Sequence, residues 1–499
     1  MSAARISLGL CLASGLACAD DGAVATQSSS GAESSSSSSS SSGEPTSTTG
    51  PATSGEPDTS SSGEPGFDPP TPVCGNGYLE ADEECDDGNL AAGDACNAAC
   101  QVPCGLELAV SELAPTAQSV IGGLSVAPAP DGGFVTVARL REITVDREQN
   151  PTVGPRLMLV LAYDAAGALR WRRELGDMMG DLYAAGGSVD TNGDVLVVGS
   201  VDGPEASAIW VGKLDGSDGG ALWTRAIDGQ LAGGDDFGSA VVGTPGGDVI
   251  ATGQIRNAMN DADVWVGQLA GADGALMWTT TWTGQENNGY STDAGGPVAL
   301  GPDGSVHVLA REFVDPDITE VTLLKFPPDG GKPLWSASPL ADGGKHHHDY
   351  RALAVGPDGE IVMAADRGGA APTFWIFRYG PDGGEPTWTR TRDDFVALAE
   401  DWFLAGLGVD EGGDIVVGGS WIDDVSQADA AWSEVWSARL DPRGAKRCQV
   451  SFRAPGEDLV PPSISAAALV AGADGVALAA GELIEGNESS VWTGRFRPL

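Results

Sequence analysis

The 499 residues carry 27 Lys and Arg against 71 Asp and Glu, a net charge of -44, with 72 Gly, 31 Pro, 14 Trp, 8 Cys and 4 His. Such acidity excludes a general nucleic-acid binder, because a phosphate backbone calls for a basic face. One glycine in every seven residues excludes a helical bundle and favours a turn-rich β protein.

Residues 1–18, MSAARISLGLCLASGLAC, read as an export signal. Arg5 supplies the positive start, and the apolar core from Ile6 to Leu16 is too short to span a bilayer. The segment ends in Gly15-Leu16-Ala17-Cys18, small residues before a cysteine, as in a bacterial lipoprotein signal. Cys18 is the expected acylation site, although Gly15 stands where the pattern prefers Leu. Plain secretion, with cleavage near Ala17, is the alternative.

Residues 19–73 are Ser, Gly, Thr, Pro and acid, with an unbroken serine run from Ser34 to Ser42. No apolar set offsets the entropy of ordering them. The segment reads as a disordered acidic linker, with a coil span of about 40 Å.

Residues 74–104 hold Cys74, Cys85, Cys96, Cys100 and Cys104, with no Lys or Arg. Spacings of 11, 11, 4 and 4 lack the paired Cys-x-x-Cys of a zinc site. Behind an export signal they read as a disulfide framework. The runs Cys74-Gly75-Asn76-Gly77, Glu84-Cys85-Asp86-Asp87-Gly88-Asn89, Gly93-Asp94-Ala95-Cys96 and Cys100-Gln101 resemble the cysteine-rich repeat of secreted and surface proteins of myxobacteria. The resemblance covers about 6% of the chain and implies a disulfide-held extracellular module; it implies no enzymatic activity. Glu84, Asp86, Asp87, Asn89 and Asp94 offer hard oxygens to Ca²⁺, but Asp-Asp-Gly-Asn is also ordinary turn chemistry. Five cysteines leave one without a local partner. Cys104, the last, is therefore expected to bridge to Cys448, with a buried free thiol at Cys448 as the alternative.

Residues 105–499 repeat seven times. A turn followed by an apolar run begins near Asp131, Asn192, Gly246, Asp303, Asp358, Gly412 and Asp474, at spacings of 61, 54, 57, 55, 54 and 62. Later in each unit comes a second run, such as AIWVGKL at 208–214 or EVWSARL at 434–440. A tryptophan behind a glycine turn follows at Trp171, Trp223, Trp278, Trp335 and Trp388, and Cys448 stands where the next would fall. Four short strands per unit, seven units and a Trp/Gly signature predict a seven-bladed β-propeller. The chain stops after the third strand of the last unit. The spare segment LELAVSEL at 106–113 is expected to supply the missing outer strand and close the ring. An open set of sheets is the alternative. The units also resemble the loosely Trp- and Gly-marked propeller repeats of bacterial secreted proteins, which implies no particular ligand.

Cations recur at one register of the third strand, Lys213, Lys325, Arg378, Arg439 and Arg495, with Gln268 in the same series. They are expected to pair with acids that precede the first strand beside an aromatic: Asp181 with Tyr183, Asp236 with Phe237, Asp349 with Tyr350, Asp401 with Trp402. A cationic ring for an anionic ligand is the functional alternative. Asp190-Thr191-Asn192-Gly193-Asp194 sets oxygen ligands at Asp190, Asn192 and Asp194, as Ca²⁺ loops do; a tight hairpin turn is the simpler reading. His346, His347, His348 and Asp349 offer metal ligands, with His346 and His348 on one side of an extended chain; an exposed loop between blades four and five is the simpler reading. No Gly-x-Ser-x-Gly elbow and no singled-out carboxylate pair marks a catalytic site.

The expected protein is therefore exported, anchored by lipid to the outer membrane surface or secreted, and monomeric. A propeller of non-catalytic binding or scaffolding type would meet an extracellular protein or glycan. A secreted polysaccharide hydrolase or lyase, with its site at the propeller channel, is the rival reading.

Overall fold

The computed structural model describes Cys74, residues 104–114 and residues 120–498, apart from 146–150, 177–180, 204, 232, 260, 285–291, 316–317, 340–347, 368–372, 396–400, 423–432, 454–462, 473 and 486–487. These residues belong to one unit, Pro70–Leu499. The export signal with Cys18, the linker, the cysteines Cys85, Cys96 and Cys100, and the histidines His346 and His347 lie outside the described residues.

The described residues form a seven-bladed β-propeller of four-stranded antiparallel sheets. Blade 1 runs Val120–Pro128, Phe134–Val145, Pro151–Tyr163, Leu169–Leu175, from the channel outward. Blades 2 to 6 follow with innermost strands Leu182–Val189, Phe237–Gly243, Ala294–Leu300, His348–Val355 and Asp401–Val409. Blade 7 takes Ser463–Ala471, Ala477–Glu485 and Glu488–Phe496 from the end of the chain and its outer strand, Leu106–Leu113, from the beginning. Leu108 lies opposite Arg495 and Glu112 opposite Val491. Each innermost strand touches the next, and the seventh touches the first.

Alternation along each strand explains the near-continuous apolar runs. Val195 and Val197 face blade 1, beside Val137 and Val160, whereas Leu196 and Val198 face blade 3, beside Ala251 and Trp265. Both faces of a strand are thus buried, each against a different neighbour. Seven such clusters, one per interface, make up the core. Every innermost strand carries a bulge at an equivalent place, from Gly123/Ser125 in blade 1 to Ala466/Ala468 in blade 7. A bulge adds twist and re-aims side chains, here where the sheets converge.

The outer rim repeats a second device. A tryptophan at one register of the outer strand, opposite Ala162, Lys213 and Arg378 in blades 1, 2 and 5, reaches over the turn of the next blade. Trp171, Trp223 and Trp388 donate their indole N–H to the carbonyls of Gly216, Gly271 and Pro442 at 2.9, 3.0 and 3.1 Å. Under each ring sits a turn glycine of positive φ, Gly219 at 73° and Gly274 at 70°. A Cβ there would come within 2.7 and 2.5 Å of the indole. Blade 7 has Leu108 at this register, packed over Gly167. Blade 6 has Cys448, opposite Arg439, and the next blade offers it no covalent turn because the ring is cut there. A Cys104–Cys448 disulfide fills the gap, with Cα atoms 6.4 Å apart. The Arg497 N–H donates to the Gly105 carbonyl at 2.9 Å, the bond that a continuous turn would make. Cys104 is the one non-glycine residue of positive φ among those described.

Candidate functional site

Antiparallel connectivity sends the links between strands one and two, and between three and four, to one face of the ring. The other links emerge on the opposite face. The first turns on the first face are uniform. In all seven blades the first turn closes by the same backbone bond, from Ala129 N–H to the Gly133 carbonyl and from Asp190 N–H to the Asp194 carbonyl, on to Gly472 and Val476. Its fourth residue is always a glycine of positive φ, such as Gly132, Gly193 and Gly475. The second face is irregular, with links ranging from two residues at 316–317 to eleven at 283–293.

The third-strand cations serve the uniform face. Lys213 Nζ lies 2.8 Å from Asp190 and 3.2 Å from Asp194. Gln268 donates to Asp248 at 3.0 Å, and Lys325 lies 3.4 Å from Asp303. Arg439 meets Asp410 at 2.6 Å, and Arg495 meets Glu107 at 3.1 Å. The expected pairing with acids ahead of the first strand is corrected: the partners are turn acids at the other end of the blade or, for Arg495, Glu107 on the outer strand beside it. Asp181 and Asp236 instead accept backbone N–H groups, of Arg156 at 3.1 Å and of Arg256 at 2.6 Å. Asp190, Asn192 and Asp194 lie together as expected. Asp190 Oδ1 accepts the N–H groups of Asn192 and Asp194, each at 2.9 Å, and Oδ2 accepts the Lys213 ammonium. This is hairpin-turn geometry completed by a lysine. Among the described residues no group of three or more His, Cys, Asp or Glu is placed to hold a metal. His348 is buried, edge-on to Trp375 at 6.0 Å.

The irregular face carries the charged groups that the turns do not use. Asp349, Tyr350 and Arg351 enter on the innermost strand of blade 5, Asp366 lies opposite Asp349 on the second strand, and Arg311 approaches from blade 4. The bulge between Tyr350 and Ala352 frees Arg351 from the ladder, and its guanidinium holds the Asp366 carboxylate through Nε and Nη2. Arg311 stands 3.9 Å from Asp349. Burial pushes Asp366 up to about 6 against the opposing pull of Arg351, and raises Asp349 despite Arg311 and Arg351. Tyr350, pushed up to about 12 by burial and Asp349, also bonds Ser239 of blade 3. Its ring passes Gly296 of blade 4, where a Cβ would fall 2.4 Å from it. Two carboxylates with raised proton affinity, two guanidiniums and a phenol thus gather where the innermost strands converge. The sequence singled out Asp349 and Tyr350. It missed Arg311, Arg351 and Asp366, whose only signal was charge at the ends of otherwise apolar strands.

Beside it, Asp293 accepts the N–H groups of Phe313 and Gly284 at 2.9 and 2.7 Å. Burial, with Glu312 and Asp263 nearby, pushes it up to about 6. Between blades 2 and 3 a cleft of about 710 Å³ is lined by Asp202, Glu205, Trp210, Thr224, Asp228 and Asp236.

Residues 71–101 match the family described as a domain of unknown function, DUF4215. No curated protein matches the chain. Among solved structures, the chain is similar to the polysaccharide lyase Uly1 at 10% identity and a TM-score of 0.47, over 79% of this chain and 99% of that one. It is similar to an α-L-arabinofuranosidase from Fusarium graminearum, solved with an iminosugar inhibitor, at 11% and 0.40, over 79% and 98%. It is also similar to the quinohemoprotein alcohol dehydrogenase of Comamonas testosteroni, at 11% and 0.40, over 78% and 76%.

Proposed function

We propose that this chain is an exported, lipid-anchored surface protein whose propeller binds an envelope protein or glycan without altering it, through the irregular face. One observation supports the reading above the rest: the two faces of the ring obey different rules. The uniform face spends its charges on seven near-identical turns. The irregular face holds links of divergent length and the half-buried Asp349, Asp366, Arg311 and Arg351, and binding residues concentrate on such loops on a rigid scaffold. The acidic linker then works as a spacer, and Cys18 as the anchor.

The test uses the full-length exported protein against isolated envelope polysaccharide and envelope proteins. Arg351→Ala with Asp366→Asn on the irregular face should abolish capture, and Asp329→Asn with Lys332→Gln on the uniform face should leave it unchanged. The opposite pattern would overturn the reading.

A second reading, a polysaccharide hydrolase or lyase at the channel, draws on one observation. Asp349 and Asp366 are cross-strand partners with raised proton affinity, the condition for a carboxyl acid near neutral pH. Release of reducing ends or of new carbon–carbon double bonds from a bound polysaccharide, lost in Asp366→Asn, would establish it.

A further inference from the structure

Blade 1 departs from its neighbours in length. Its second and third strands, Phe134–Val145 and Pro151–Tyr163, pair on through Ile143↔Val153 and Val145↔Pro151. The innermost strand ends its pairing earlier, at Val120↔Arg141. The surplus forms a hairpin that extends the blade past its sheet on the irregular side.

At the base of that hairpin three arginines share the face turned to blade 2. Arg139 and Arg141 are two residues apart on one strand, and Arg141 lies directly opposite Arg156 on the next. Like charges placed opposite each other weaken a sheet. Among the described residues, little on the blade 2 side relieves them. Arg156 donates to the Tyr183 hydroxyl, lies over the Tyr183 ring at 4.4 Å, and stands 3.7 Å from Asp181. Tyr183 also bonds Asp202. Arg139 donates through Nε to the Ala184 carbonyl at 3.3 Å. The Arg141 Nε is buried and meets no hydrogen-bond partner among the described residues. Among the described residues, three guanidiniums thus stand against one carboxylate in ion-pair range. A buried donor left unpaired is costly, and such groups call for an explanation.

We propose that the seam between blades 1 and 2 binds an oxyanion, a sulfate or carboxylate group, through Arg139, Arg141 and Arg156. Guanidiniums present paired N–H donors that match two oxygens of such a group. Cations clustered at one seam of a strongly acidic chain also select for negative charge locally while the rest of the molecule repels it. The proposal deepens the reading of the irregular face by naming the chemistry of one seam on it.

The test compares the full-length protein with Arg139→Gln/Arg141→Gln. Thermal unfolding is followed with sodium sulfate, sodium acetate and sodium chloride at matched ionic strength. Direct binding is measured to dextran sulfate, polygalacturonate and neutral dextran. Because sulfate stabilises proteins in general, the readout is the difference between wild type and variant. Sulfate or acetate should raise the wild-type Tm more than the variant's. Dextran sulfate or polygalacturonate should bind the wild type at least about tenfold more tightly than the variant. Without added anion the variant should melt at the same temperature as the wild type or above it, since it lacks the like-charge pair. A response to free ions without polymer binding would make the ligand a small anion; a response to polymer as well would make it a polyanionic glycan. Equal responses of both proteins, or a variant that melts lower and binds as well, would overturn the proposal. Capture of a neutral envelope partner by both proteins would sink the anion seam and leave the irregular-face reading standing.

Discussion

Cys448 occupies the register that Trp388 holds in the preceding blade: each stands opposite a third-strand arginine, Arg439 and Arg378. Trp388 clamps the following turn by a hydrogen bond to Pro442 and by packing over Gly444. Cys448 has no continuous turn to clamp, because the chain enters blade 7 from its beginning and leaves from its end. The disulfide to Cys104 does there what the indole does elsewhere, at the one joint where the ring is cut.

That joint is expected to dominate stability. The bridge closes a loop with a sequence separation of 344. Chain-entropy arguments assign a loop of that length on the order of 5 kcal/mol. Cys104→Ser/Cys448→Ser should therefore lower Tm sharply and release residues 106–113 to rapid amide exchange before the other blades open. Unchanged exchange of that strand would show that pairing alone seals the ring.

The rim clamps predict a contrast between two glycines of equal conformation. Gly219 and Gly193 have φ of 73° and 86°. A Cβ at Gly219 would meet the Trp171 ring at 2.7 Å, whereas one at Gly193 would meet nothing within 4 Å. Gly193→Ala should cost about 1 kcal/mol from backbone strain alone. Gly219→Ala should cost roughly 2 kcal/mol more through overpacking. Urea denaturation of both variants separates the two contributions, and equal losses would refute the clamp.

Lys213 and Asp190 are both buried. Removing one partner of such a pair leaves an uncompensated charge and typically costs about 3–5 kcal/mol. Lys213→Met should fall in that range, and Lys213→Met/Asp190→Asn should recover much of the loss. Additive losses in the double variant would contradict a direct buried pair.

Two groups give opposite pH slopes. Burial lowers His307 from 6.5 to about 4, with Lys325 adding to the effect. Between those values the unfolded chain binds a proton that the folded chain refuses, so stability falls as pH drops through that window. Asp366 is raised from 3.8 to about 6. There the folded chain holds the proton that the unfolded chain releases, so stability falls as pH rises from 3.8 to 6. Each is worth about 3 kcal/mol over its window. Relative to wild type, His307→Gln should gain stability toward pH 4 and Asp366→Asn should gain it toward pH 6. Denaturation series between pH 4 and pH 7.5 would show parallel curves if either group were unperturbed.

The ring was legible because its signals are local and repeated: the glycine turns, the apolar runs and the tryptophan series whose gap fell at Cys448. The spare segment at 106–113 had one place to go. The partners of the third-strand cations were misassigned for a reason of parity. Lys213 lies near the end of its strand, next to the turn into strand four, and that turn shares a face with the turn at Asp190, not with Asp181. Counting connections would have shown this. Arg351 with Asp366, and Arg139 and Arg141 with Arg156, were out of reach. Their meeting depends on a bulge in one case and on pairing register within an overlong hairpin in the other, and neither has a fixed sequence mark.

The most direct measurement of the account is peptide mapping of the purified full-length protein, digested without reduction after free thiols are blocked. A closed ring predicts one linked pair joining the peptide of Cys104 to the peptide of Cys448. Cys448 recovered as a blocked free thiol, or linked to Cys74, Cys85, Cys96 or Cys100, would contradict the seal at the heart of this structure.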